Sequence, residues 1–415
     1  MKYIIIGAGS RGMTYGRWSK EHGIEIAAIA ELRPDRLRSA AEELNVPESM
    51  CFSTPEPLFS LGKIADAAII ATMDRDHFGH VMQALRCGYD ILLEKPISPS
   101  AEECLAIETE ANKLGRKITV CHVLRYTPFY SMLKEIIDSG KLGKVVAIKH
   151  AENIGNFHMA HSFVRGNWRN DTLSSPIIMQ KSCHDLDILL WLTGAHCTKV
   201  AAFGSLSYFK ESNAPTRSTD RCLTCPVAKD CRFDAWQAYQ PVLGRWPADV
   251  VCLEQSEDSL RQALETGPYG RCVYRCDNNV CDHMSMILEF DNGITATFSL
   301  HAQSTDIHRD IHILCEDGEI SGDDHKGKIT ITHFIRNQAE TPVVETYQTP
   351  DYDSGHGGGD DRIMEDFTAS LSAGHSDSRS SISRSVESHL MACAIEKARL
   401  TGTVIDMVQF RTSLV

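Results

Sequence analysis

Near the start of the chain, Gly7-Ala8-Gly9-Ser10-Arg11-Gly12 follows the apolar, β-branched residues 3–6 and precedes residues 13–22, which can continue as a helix. This placement constrains the fold more than any other feature. A glycine triplet alone is a weak signal, but between a strand and a helix each glycine has a physical task. Gly7 permits the tight turn, Gly9 lets the backbone approach a pyrophosphate, and Gly12 lets helix and strand pack closely. The helix start then offers free N–H groups and the positive end of its dipole to phosphate oxygens. A second apolar run, 24–30, ends at Glu31. That carboxylate is placed to accept hydrogen bonds from ribose hydroxyls, which favours NAD. Arg33 is close enough to meet a 2′-phosphate, so NADP stays open. Gly7, Gly9, Ser10, Arg11, Gly12 and Glu31 are therefore the expected dinucleotide contacts.

The alternation continues, with helical stretches at 36–44, 78–86 and 101–114 and strands at 65–71, 90–93 and 117–121. Repeated βαβ units imply a parallel sheet whose ligands lie beyond the carboxyl ends of its strands. Thr72, Glu94, Lys95 and His122 all fall there. With 415 residues the chain exceeds what one core usually serves, so two domains are expected. A net charge of −13, with no long block of Lys and Arg, excludes a typical nucleic-acid binder. No apolar run is long enough to span a bilayer, and residues 1–6 are too short for a signal peptide. A cytoplasmic protein with a small-molecule partner is the expectation.

Glu94-Lys95-Pro96 after a strand, at this distance from the glycine turn, resembles the glucose–fructose oxidoreductase and inositol dehydrogenase (Gfo/Idh/MocA) family. Thr72 to His77 resembles that family's Thr-Pro-Asn-x-x-His segment, with Met73 and Asp74 as departures. His122-Val123-Leu124-Arg125-Tyr126 resembles the segment leaving the cofactor domain, and His184-Asp185-Leu186-Asp187 the catalytic histidine helix. The resemblance implies an α/β chain of two parts. Residues 1–122 form a Rossmann domain with a doubly wound parallel sheet. Residues 123–415 form an α/β substrate domain with a large open, mostly antiparallel sheet that often mediates homo-oligomer contacts. Strands at 144–151, 199–204, 284–290, 294–300 and 310–314 fit that sheet, and Asp291-Asn292-Gly293 marks a hairpin. Helices are expected at 362–373 and 385–400.

The family resemblance makes Lys95 the group near nicotinamide and substrate hydroxyl, and His184 the general acid/base. It adds Thr72, His77, Glu94 and His122 to the cofactor contacts and brings Arg125 and Tyr126 toward the substrate. Hydride removal from an alcohol carbon requires such a base and a group that steadies the developing alkoxide. Many relatives carry an aspartate four residues before the histidine. Here Gln180 stands there, unable to act as acid or base, with Lys181 beside it as an electrophilic or substrate-binding alternative. His356, within the glycine-rich run 355–361, and Trp168 are further substrate-binding candidates. The implied activity is oxidation or reduction of a secondary alcohol in a sugar, glycoside, cyclitol or polyol. An NAD-dependent glycosidase and a non-catalytic dinucleotide-binding regulator are the alternatives.

Fifteen cysteines are many for such a chain. Cys222, Cys225 and Cys231, in a polar insertion at about 217–281, are spaced to meet a tetrahedral ion. Cys272 is the fourth candidate and Cys276 the alternative. A structural zinc is the expectation, beside unliganded thiols, a redox pair or an iron–sulfur cluster.

Overall fold

A computed structural model describes residues 1–350, 355–372 and 378–414. The first sheet comprises β1 (Lys2–Ile6), β2 (Glu25–Ala30), β3 (Cys51–Phe52), β4 (Ala67–Ile70), β5 (Asp90–Leu93) and β6 (Ile118–Val120). Their order is β3-β2-β1-β4-β5-β6, with every pairing parallel. β4 is buried at all four positions, as continuous apolar strands are when helices cover both faces. Alternate side chains of β1 feed opposite cores. Tyr3 and Ile5 pack with the helices Ser10–Glu21 and Pro34–Leu44, whereas Ile4 and Ile6 pack with His77–Arg86 and Ala101–Leu114. Strand order reverses between β1 and β4, which opens a ligand crevice at their carboxyl ends.

The second sheet comprises β7 (Val145–Asn153), β8 (Cys197–Ser205), β9 (His283–Phe290), β10 (Thr295–His301), β11 (His308–Cys315), β12 (Gly318–Asp323), β13 (Lys328–His333), β14 (Val344–Gln348) and β15 (Ile405–Asp406). The order is β14-β13-β12-β11-β7-β10-β9-β8-β15, antiparallel except for β7 with β10. Met284, Met286, Leu288 and Phe290 alternate inward along β9, leaving its other face exposed. The hairpin at Asp291-Asn292-Gly293 joins β9 to β10 as its sequence indicates, with Gly293 at φ +86°.

Two features depart from the sequence-based division. The helix Gly359–Ser372 returns to the first sheet, where Ile363, Met364 and Phe367 complete the core around Tyr3 and Ile5. The sequence-based helix end at Ala373 lies outside the described residues. The segment between β8 and β9, expected to have little core, packs Ala235, Tyr239, Ala248, Leu260 and Leu264 around a small apolar centre. It docks on a π-helix, Met159–Arg165. Arg165 donates to the carbonyls of Phe233 (2.6 Å) and Arg271 (2.7 Å). Among the described residues, no helix is long and apolar enough to cross a membrane.

Candidate active site

The glycine turn has the shape its sequence implies. Gly7 has φ +90°, and a Cβ there would lie 2.6 Å from the Ala71 carbonyl oxygen. A Cβ on Gly12 would lie 2.0 Å from the Gly7 oxygen. Gly9 differs: among the described residues, apart from its chain neighbours, only Arg36 Nη1 comes within 4 Å of its Cβ position, at 3.7 Å. The turn thus has a bare cradle at Gly9 with a cation beside it, which fits a pyrophosphate. Glu31 accepts hydrogen bonds from Ala8 N (2.8 Å) and Arg33 N (2.9 Å), so its carboxylate lies against the turn. The Arg33 side chain pairs with Asp35. Ser10 begins the helix and is exposed.

Arg11 is committed elsewhere. Its Nε donates to Glu94 Oε1 (2.6 Å), and its terminal nitrogens grip Asp360 (2.6 and 2.9 Å). Tyr15 adds a second bond to Glu94 Oε1 (2.6 Å). Burial alone would raise the Glu94 pKa; Arg11, Lys95 and Tyr15 overcome it and hold the carboxyl below its ordinary value. Arg11 therefore clamps the turn to the end of β5 rather than offering a free guanidinium to phosphate. His77 is likewise buried, with Nδ1 2.6 Å from the Pro96 carbonyl and Nε2 3.2 Å from that of Thr72. It ties the loops after β4 and β5 together. Thr72 Oγ1 lies 3.0 Å from His80 Nδ1.

Lys95 crosses to the second domain, where its Nζ donates to the Gln180 backbone oxygen at 2.6 Å. Gln180 ends a short helical turn, and Cys183–Thr193, the next helix, carries His184 on its first turn. The Gln180 side chain points away from catalysis, with its amide donating to Ser174 Oγ (2.6 Å) and the Ser175 carbonyl. His184 is buried, with no hydrogen-bond partner at Nδ1 among the described residues. Its ring lies 5.7 Å from that of His122 and 6.4 Å from that of His356. Burial first, then the charges of Lys95, His122 and His356, depress its pKa well below that of free imidazole. His122 is also buried; among the described residues neither ring nitrogen has a hydrogen-bond partner, though Nε2 lies 3.9 Å from Asp187, and its pKa is lowered to about 4, chiefly by burial. His356 Nδ1 lies 3.1 Å from Asp360, which joins the glycine-histidine loop to the Arg11 clamp.

Lys181 meets Glu152 at 3.1 Å. Behind them Arg309 joins Glu152 (2.5 Å) to Asp185 (2.7 Å), and His150 reaches Asp185 at 2.8 Å. Burial, only partly offset by Glu152, lowers the Lys181 pKa. Trp168 is 37% exposed, and its Nε1 donates to the buried Asp74 (3.2 Å), so it is a partly exposed residue rather than a core one.

Arg125 and Tyr126 do not fit the expected substrate role. Arg125 is buried in a two-bond pair with Asp187 (2.6 and 2.7 Å). The buried Tyr126 meets Asp366 (2.8 Å) and Ser380 (3.1 Å). Both secure the junction between domains. The cysteine expectation needs a similar correction. Cys222, Cys225, Cys231 and Cys272 line one small cavity of about 20 Å³. Cys276 instead donates to the Cys272 carbonyl (3.3 Å). Yet among the described residues no group of three or more His, Cys, Asp or Glu side chains is arranged to hold a metal ion. All fifteen thiols are free.

Sequence reasoning missed Arg36, Tyr15 and Asp360. Arg36 carries a faint signal, as the third residue of the helix after β2. Asp360 has none, because its partner Arg11 is 349 residues away.

Residues 1–122 match the Gfo/Idh/MocA oxidoreductase family's NAD-binding Rossmann fold, and residues 134–407 match its C-terminal alpha/beta domain. A putative oxidoreductase, YteT, of Bacillus subtilis is 25% identical over 317 residues, covering 73% of this chain and 72% of that one. An inositol 2-dehydrogenase of Corynebacterium glutamicum is 28% identical over 204 residues, covering 47% of this chain and 55% of its own length. A levoglucosan dehydrogenase solved with NADH shares the fold, with TM-score 0.72 at 17% identity over 98% of this chain and 99% of that one. The glycine cradle, the strand-end Lys95 and the helix-borne His184 thus sit on the two domains of one family, and the chain belongs to the Gfo/Idh/MocA oxidoreductases.

Proposed function

We propose that this protein transfers a hydride between NAD and a secondary alcohol of a sugar, cyclitol or related polyol. The observation that carries the reading is the Lys95 Nζ contact with Gln180 O, which joins the end of β5 to the turn leading into His184. That contact, with the electrostatic reach of Lys95 to His184, supports a reading in which an ammonium and a neutral imidazole serve one substrate hydroxyl. NAD, when bound, accepts or returns the hydride. Gly9 and the helix start would hold its pyrophosphate, and Glu31 its ribose hydroxyls. The Glu31 carboxylate, held against the turn at the end of β2, favours a ribose hydroxyl over a 2′-phosphate and so NAD over NADP.

In the direction of oxidation, His184 takes the hydroxyl proton and the Lys95 ammonium steadies the alkoxide as charge develops. Gln180 takes no part in proton transfer. Lys181, held by Glu152, supplies a second cation for a substrate hydroxyl. His356, oriented by Asp360, has its ring 6.4 Å from that of His184 and is a further group for the substrate. NADH formation measured across free sugars, cyclitols and polyols tests the reading, with Lys95→Met as the control. Turnover undiminished in that variant would sink it.

His356 at the site also favours a second reading, a glycosidase that oxidises and re-reduces its sugar. Release of an aglycone without net NADH would select it. Two narrower readings accompany these. An ion in the cysteine cavity is favoured by Arg165, a buried guanidinium that donates to Cys222 Sγ (3.3 Å) and pairs with no carboxylate among the described residues. Thiolates around a zinc ion would supply the missing negative charge, provided the thiols draw inward; metal analysis of the purified chain tests it. A cytoplasmic homo-oligomer built on the second sheet is favoured by exposed Phe203 and Ile287 on its outer face, and light scattering tests the association.

A further inference from the structure

Trp246, in the insertion between β8 and β9, is 44% exposed. The His158 ring meets it edge-on at 5.3 Å, and the His161 ring at 5.6 Å. His158 lies 5.6 Å from Phe163, whose ring is 6.5 Å from Trp168. One row of rings therefore runs from Trp168 through Phe163 and His158 to Trp246, with half-exposed indoles at its two ends and a buried Phe163 within it.

Both halves of the row adjoin residues of the candidate site. Trp168 is anchored on Asp74, two residues beyond Thr72 at the carboxyl end of β4. His158 is within electrostatic reach of Lys181, Lys95 and His356; after burial itself, Lys181 contributes most to lowering its basicity, with His161, Lys95 and His356 adding to it. Its Nδ1 is buried and has no hydrogen-bond partner among the described residues. A neutral imidazole nitrogen of that kind costs free energy until a hydroxyl or water meets it.

A half-exposed indole held by ring contacts presents apolar surface at little entropic cost, and Trp is favoured where one end is apolar and the other wet. A sugar ring complements such a face, because it carries C–H bonds on its flat sides and hydroxyls at its rim. The sugar being oxidised is already engaged by Lys95 and His184. The insertion offers a place for what is joined to it.

We propose that Trp246 and His158 form a second sugar subsite, so that the substrate is a glycoside or disaccharide rather than a free monosaccharide. Trp246 stacks on the neighbouring unit, and the half-buried His158 turns its ring to bring Nδ1 to one of its hydroxyls. The substrate-class part of this proposal rests on the dehydrogenase reading; the subsite itself is testable by binding alone.

The test uses the full chain as wild type, Trp246→Ala and Trp246→Phe. Cellobiose, lactose, maltose and methyl glycosides are compared with the free monosaccharides, by NADH formation and by calorimetric titration. NADH affinity is measured in parallel. The expected result is a KM or Kd for the preferred glycoside raised about tenfold in Trp246→Ala, the loss of one aromatic stacking contact. The kcat, the NADH affinity and the behaviour toward monosaccharides stay unchanged, and Trp246→Phe restores most of the loss. Glycosides that bind in a Trp246-dependent way without forming NADH would defeat the dehydrogenase reading and leave the subsite standing. The proposal is overturned by weakened NADH affinity in Trp246→Ala, which would place the indole against the cofactor. It is also overturned if free sugars are affected equally, or if no glycoside binds the wild-type chain.

Discussion

Arg11 and Asp360 stand 349 residues apart in sequence, and the guanidinium of one holds both carboxylate oxygens of the other at 2.6 and 2.9 Å. Asp360 is 3% exposed and Arg11 28%, so the pair is mostly shielded from solvent. Asp360→Asn removes one charge and leaves Arg11 half-satisfied by Glu94. The expected loss is about 3 kcal/mol, at the lower end for a broken buried pair because Arg11 keeps some water. The folded state depresses the Asp360 pKa: burial opposes this, but Arg11 and His356 outweigh it. Its contribution is therefore full above the unfolded value of about 4 and declines as pH falls below it. Urea melts of both proteins should show a gap at pH 7 that narrows below pH 4.

The glycines of the turn should separate folding from binding. Gly12→Ala places a methyl 2.0 Å from a backbone oxygen and should prevent the helix from seating. Gly9→Ala meets only the end of the flexible Arg36 side chain, so the chain should fold with near-wild-type stability. Its NADH affinity should fall at least tenfold, because the methyl occupies the pyrophosphate's approach. A Gly9→Ala protein that binds NADH normally would show that the cofactor lies elsewhere.

His184 should be neutral well below pH 7. Its depressed pKa follows from burial and from the cations around it. In the direction of oxidation, kcat/KM should therefore remain on its plateau down to pH 6, whereas an ordinary histidine would already be half protonated near 6.5. An acid limb centred at 6.5 would remove His184 from the role of base. His184→Asn should lower kcat about 10²- to 10⁴-fold, the usual worth of a general base.

Three other histidines bear on stability. Burial is the first cause that lowers His122 to about 4 and His161 and His389 to about 3. The unfolded chain binds protons at these positions near pH 6.5, and the folded chain does not until lower pH. Stability is thus fully present above 6.5 and is lost as pH falls toward 4. The denaturation midpoint should drop through that interval more steeply than carboxylates alone allow. Phe in place of His389, whose ring is buried, should flatten part of the slope.

Much of the first sheet could be read from sequence because its information is local. Apolar runs, breakers and glycines lie within a few residues of each structure they specify, and β5 and the helix Ala101–Leu114 fall at their expected limits. β12 and β14 were not apparent, since Gly-Glu-Ile-Ser-Gly-Asp and Val-Glu-Thr-Tyr-Gln carry few apolar side chains and pair only through neighbours already in place. The site divides in the same way. Lys95 is marked by a strand end, and Gln180 by its spacing from His184. That Gln180 contributes a backbone oxygen depends on the turn at Ser174 and Ser175. Arg125 misled because a positive charge near a cleft and one paired inside a junction have the same sequence. Only Asp187, brought near by folding, distinguishes them.

The return of the helix Gly359–Ser372 to the first sheet has a consequence during synthesis. β6 ends at Val120, so the ribosome makes roughly 240 further residues before Ile363, Met364 and Phe367 exist. At ordinary elongation rates that interval is on the order of ten seconds or more. Through it, Tyr3 and Ile5 lack the apolar cover they have in the finished protein. The nascent chain carries an adhesive surface for that time, which is a reason for it to meet a chaperone before it meets its cofactor.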